Sequence, residues 1–101
     1  MPLTGTWRGT STCVVKPSAC NDERVVYHVA AAGDAYTVVA DKLVDGVEQD
    51  MGTITCRLAG ARLTCPIEKG VFTFTIDGAH IHGTLDLTDR TRFREIDVTR
   101  D

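Results

Sequence analysis

Eight short strand-like segments, separated by turn signals, fill this chain of 101 residues from end to end, and no helical pattern interrupts them. They span about 4–14, 24–31, 35–44, 48–58, 62–67, 71–77, 80–87 and 92–100, and they are rich in Val, Ile, Thr and Phe. Between them stand Lys16-Pro17-Ser18, Ala32-Gly33-Asp34, Asp45-Gly46, Ala59-Gly60-Ala61, Glu68-Lys69-Gly70, Asp77-Gly78 and Asp89-Arg90, each a turn composition. Every connection is short, so neighbours in sequence are expected to be neighbours in space. Eight antiparallel strands in about a hundred residues protect their edges most economically by closing on themselves. The expected fold is therefore all-β: one domain, residues 1–101, forming an eight-stranded antiparallel up-and-down meander barrel.

A core of this size is modest, and small cores favour covalent staples. The four cysteines are spaced C-x6-C (Cys13, Cys20) and C-x8-C (Cys56, Cys65), not as the tight C-x2-4-C knuckle of a zinc site. An even count in a short chain points to two disulfides and an oxidising compartment. The expected location is secreted or periplasmic, with an export signal removed ahead of Met1-Pro2. The net charge is −3, with no basic stripe and few aromatics, so no nucleic-acid partner is expected. No apolar run approaches the ~18–20 residues of a membrane-spanning helix.

Hairpin arithmetic tests the meander. A turn at 59–62 pairs Leu58 with Leu63, Cys56 with Cys65 and Ile54 with Ile67, which brings the two cysteines within reach of a bridge. A turn at 68–71 pairs Ile67 with Phe72, Cys65 with Phe74 and Leu63 with Ile76. A turn at Gly78-Ala79 pairs Ile76 with Ile81, Phe74 with Gly83 and Phe72 with Leu85, and the glycine leaves room for the Phe74 ring. One junction conflicts: a two-residue turn at Asp45-Gly46 sets Ile54 opposite outward Thr37. Because a slip of one residue exchanges the faces, a bulge near Asp45–Gln49 is expected. Trp7, Val29, Tyr36, Leu58, Leu63, Ile76, Ile81, Val98 and Arg100 then plug one end of the interior. Cys13, Val25, Gly52, Ile67, Phe72, Leu87, Arg92 and Arg94 line the other.

Leu3-Thr4-Gly5-Thr6-Trp7, opening the first strand, resembles the G-x-W signature of the calycin barrels, the lipocalins and avidins. The resemblance implies that Trp7 closes the barrel foot and that a late arginine packs across it. Arg100, which shares a face with Ile96 and Val98, would be that arginine. The second lipocalin motif, T-D-x-x-Y, is absent. Trp7 is the sole tryptophan, so the tryptophan-lined biotin site of avidins is not expected. The stretch from Trp7 to Tyr27 is also similar to small exported bacterial proteins of unassigned function. Small bacterial metalloprotease inhibitors share the size, the G-x-W and a disulfide, but they insert a free N-terminal segment, for which the N-terminus here is too short unless it was truncated.

No catalytic or cofactor motif is evident, and no cofactor is expected. His80 and His82 form an H-x-H on one strand face, a pair that zinc or copper can use with a third ligand. By register they face outward, as does His28, and they read as a solvated face. Asp22-Glu23 read as a solubilising loop, and Ser11 has no His–Asp partner for nucleophilic work. Arg92 and Arg94 share an otherwise apolar inward face and suit a carboxylate, sulfate or phosphate. The small inward residues Gly9, Ser11, Ala40, Gly52 and Gly83 either hollow out a cavity or make room for aromatic rings.

The first expectation is a small-molecule-binding barrel. Its ligand is small, partly apolar and anionic, and it sits at the end opposite Trp7 among Ser11, Tyr27, Phe72, Phe74, Arg92 and Arg94. The alternative is a protein-interaction module, such as a protease inhibitor, acting through rim loops 14–23 and 45–50, with a filled barrel. A third reading is a small barrel enzyme of cyclase or isomerase type, which needs a buried acid or base in the cavity.

Overall fold

The computed structural model describes residues 3–14 and 22–101. Its eight strands are β1 (Gly5–Cys13), β2 (Glu23–Ala32), β3 (Ala35–Val44), β4 (Val47–Ala59), β5 (Arg62–Ile67), β6 (Gly70–Asp77), β7 (His80–Leu87) and β8 (Arg92–Arg100). Each pairs with the next, and β8 returns to β1, which closes an antiparallel meander barrel. Alternation does the rest. Residues of one parity bury Trp7, Val25, Tyr27, Val29, Val38, Leu63, Phe74, Ile81, Ile96 and Val98 inside, while the opposite parity faces outward.

The foot is sealed by Trp7, which is only 1% exposed. Its indole N–H donates to the Leu3 carbonyl at 3.0 Å. The β1–β8 ladder sets Trp7 opposite Arg100, whose guanidinium lies 4.4 Å from the ring centroid and donates to the Thr4 carbonyl at 2.9 Å. A guanidinium over an indole contributes about 0.5–2 kcal/mol. Leu3, which precedes the first strand, also belongs to the core. Leu58 was expected in the plug but is 40% exposed, because it lies one residue from the end of β4, at the rim of the foot.

Cys56 and Cys65 are bonded, with Cα atoms 4.2 Å apart, and no described cysteine is free. The pairing of Cys13 with Cys20 lies outside the described residues, as do positions 15–21 of loop 14–23. Replacing Cys56 and Cys65 together with alanine is expected to cost about 2–3 kcal/mol, from the closure entropy of a loop this short. A urea melt beside the oxidised chain reads the difference.

Registers agree at the Gly78-Ala79 turn, where Phe74 faces Gly83 and Phe72 faces Leu85. The β5–β6 ladder differs by two residues: Ile67 pairs with Gly70, Cys65 with Phe72 and Leu63 with Phe74. Gly70 is the first residue of β6 rather than part of the turn. A shift of two leaves every side chain on its own face, so the interior is unchanged.

The register conflict on β3–β4 is a real bulge, but it lies further along than Asp45–Gln49. The ladder runs from Val44↔Val47 to Asp41↔Asp50, then resumes at Val39↔Thr53. Met51 and Gly52 thus oppose the single residue Ala40, and Gly52 takes a φ of 122°, a conformation that favours glycine. A second shift lies between Leu85↔Arg94 and Asp86↔Arg92, with Phe93 as the extra residue.

Candidate ligand-binding site

A cavity of about 340 Å³ occupies the end of the barrel opposite Trp7. Ligand sites run from roughly 300 to 1,000 Å³, so this one suits a compact molecule. Tyr27, Phe72 and Phe74 form its aromatic wall, with Val25, Ile54 and Leu85 beside them. Phe74 meets Tyr27 edge-on at 5.9 Å between centroids and stacks parallel to Phe72 at 5.8 Å. Below them only about 10 Å³ of free space separates Phe74 and Tyr27 from Trp7.

The small residues divide into two groups. A Cβ on Gly83 would stand 2.5 Å from the Phe74 ring, and one on Gly9 would strike the β8 backbone at Asp97. Those two glycines accommodate neighbours. Ser11, Ala40 and Gly52 line the cavity instead.

The polar end is built on Arg94, whose side chain is 15% exposed. The β7–β8 ladder places it beside Leu85 on the inner face. It donates to the Ser11 hydroxyl at 3.0 Å and reaches the Ser11 carbonyl at 3.3 Å. Glu23 Oε1 lies 3.6 Å from the same nitrogen, and Lys42 stands 3.8 Å from the other oxygen of Glu23. Burial raises the Tyr27 phenol well above its ordinary value of 10, against the pull of Arg94's charge, so it stays a neutral group on the wall.

The structure thus gathers Ser11, Tyr27, Phe72, Phe74 and Arg94 around one space. Arg92 is a correction. The Phe93 bulge turns it onto the outer face, where its Nε donates to Asp86 Oδ1 at 3.0 Å. Glu23 is a second correction, because it lines the cavity rather than a solubilising loop. The signal was present: Glu23, Val25 and Tyr27 alternate, and Glu23 is the ladder partner of Ser11. Its neighbour Asp22 accepts the Cys13 backbone N–H at 2.8 Å. Outside the barrel, His80 and His82 both reach Asp97 Oδ1, at 3.1 and 3.0 Å.

The β4–β5 seam differs from the others. Its ladder covers only Arg57↔Thr64 to Ala59↔Arg62, with the Cys56–Cys65 bridge just above. Beyond the bridge, Met51–Ile54 of β4 and Ile67 of β5 flank the cavity without a ladder between them.

No protein-family model matches the chain, and no curated protein matches it. Among solved structures, it is similar to zebrafish ileal bile acid-binding protein, crystallised with cholic acid. The match covers 97% of this chain and 98% of that one, at 18% identity and a TM-score of 0.49.

Proposed function

We propose that this chain binds a small, partly apolar molecule in the cavity opposite Trp7. The observation that supports this reading is the pairing of an open, aromatic-walled space of about 340 Å³ with a largely buried arginine at its mouth. The ligand's apolar body lies against Tyr27, Phe72 and Phe74. Its anionic or strongly polar head takes Arg94 and Ser11, and it competes there with Glu23. Such a ligand gains from leaving water along its body while its head stays at the rim. The closed Cys56–Cys65 bridge supports an exported protein working in an oxidising compartment.

Anilinonaphthalene sulfonate, an aromatic body with an anionic head, is the first probe. Its fluorescence is expected to rise on binding. Ala40→Trp, which fills the cavity, should abolish the signal. Arg94→Met should weaken binding by about tenfold, the usual loss for a hydrogen bond to a charged group. Equal signal in Ala40→Trp would place the probe elsewhere and sink the reading.

The second reading, a protein-interaction module working through loops 14–23 and 45–50, draws on Val44, Val47 and Met51, which are exposed about the β3–β4 hairpin. It expects a filled barrel, and the cavity favours the first reading.

A further inference from the structure

Three strands bring one histidine and two carboxylates together on the outer wall, far in sequence and close in space. His28 on β2 has its Nε2 2.8 Å from Glu48 Oε1 on β4 and 3.3 Å from Asp41 Oδ2 on β3. All three potential ligand atoms lie within 4.8 Å of one another. Around a tetrahedral ion with bonds of 2.0–2.2 Å, neighbouring ligand atoms stand about 3.2–3.6 Å apart. The observed spacing needs only a small adjustment to match.

A second feature points to a cation. Asp41 is 9% exposed, and its Oδ1 is buried without a hydrogen-bond partner. A buried carboxylate oxygen left unpaired is costly, and an ion held by both oxygens of Asp41 would satisfy it. The surroundings agree. Thr6 Oγ1 stands 3.4 Å from His28 Nδ1, on the far side of the ring, where a hydroxyl can orient the imidazole and leave Nε2 for an ion. Asp50, the ladder partner of Asp41, adds a third negative charge. Arg8, whose charge acts on Glu48, is engaged with Asp101 at 3.0 Å.

We propose that His28, Asp41 and Glu48 form a binding site for a divalent first-row ion of the Zn²⁺ class, completed by water. One nitrogen and two carboxylate donors suit such an ion better than Ca²⁺ or Mg²⁺, which prefer oxygen alone. The bulge at Met51–Gly52 reconciles this outer face with the interior. It lets Glu48 and Asp50 stand outside, opposite Leu43 and Asp41, while Ile54 on the same strand stands opposite Val38 of the core.

The test uses the tag-free full chain, stripped with chelator and titrated calorimetrically with zinc chloride. One Zn²⁺ per chain is expected. His28→Gln and Glu48→Gln should each lose about tenfold or more in affinity, at least what removal of a supporting group costs. The double variant His80→Gln/His82→Gln, which dismantles the other histidine cluster, should bind as the unaltered chain does. Glu48 is exposed, so Glu48→Gln keeps the fold, and circular dichroism checks it. Absence of heat in the unaltered chain overturns the proposal. So does binding that survives in Glu48→Gln and His28→Gln but disappears in the His80/His82 variant.

Discussion

Phe74→Ala is expected to destabilise the protein by about 3–5 kcal/mol and to deepen the cavity. The ring is 3% exposed, and it holds three relations at once: edge-on to Tyr27, stacked on Phe72, and seated over Gly83. Each aromatic pair adds about 0.5–1.5 kcal/mol beyond burial. The ring is also a partition. Tyr27 and Phe74 border both the open cavity and the small space above Trp7, so its removal joins them. The variant should therefore melt earlier yet accept a longer probe than the unaltered protein. Gly83→Ala acts in the opposite sense, because the new methyl would push the ring into the cavity. Chemical denaturation together with probe titration separates the two effects. A Phe74→Ala protein that lost stability but kept the same preference for probe length would show that the ring is packing only.

Trp7→Ala is the second large effect, again about 3–5 kcal/mol. Here the loss comes from the seal at the foot: the buried indole, its hydrogen bond to the Leu3 carbonyl and the guanidinium of Arg100 across its face. A domain of this size is stable by about 5–15 kcal/mol in all. The melting temperature should therefore fall by roughly 15–30 °C. Arg100→Lys keeps the charge but not the planar stack, and a much smaller drop is expected. Calorimetry of the two variants would show whether the indole or the cation dominates. A drop in Arg100→Lys as large as in Trp7→Ala would move the weight from burial to the stack.

The parts of the structure that were legible in the sequence are those with a local or paired signature. Gly78 marks a turn, and Gly83 marks the room for Phe74, so the β6–β7 register could be counted. Cys56 and Cys65 checked their hairpin, and Trp7 with Arg100 checked the closure. The β5–β6 ladder escaped by two residues because alternation is blind to even shifts. The β3–β4 bulge showed itself through the register conflict but not its place, and the β7–β8 bulge gave no sign, because one extra residue leaves no mark on composition. Arg92 and Arg94, two apart, looked like neighbours on one face until Phe93 separated them. Glu23 was masked by Asp22, since two adjacent acids resemble a loop. His28, Asp41 and Glu48 had no local pattern, because only the ladders of three strands bring them together.

The extra residue on β4 also limits how the β3–β4 hairpin can change in length. Lengthening its tip at Asp45-Gly46 by a matched pair of residues would extend the arm and disturb nothing below. Deleting Met51 or Gly52 alone would close the bulge like a dropped stitch pulled straight. Asp50 would keep its place opposite Asp41 and Thr53 its place opposite Val39, so neither face would be exchanged. Position for position, this arm tolerates paired insertions at its tip and the loss of one residue at its root.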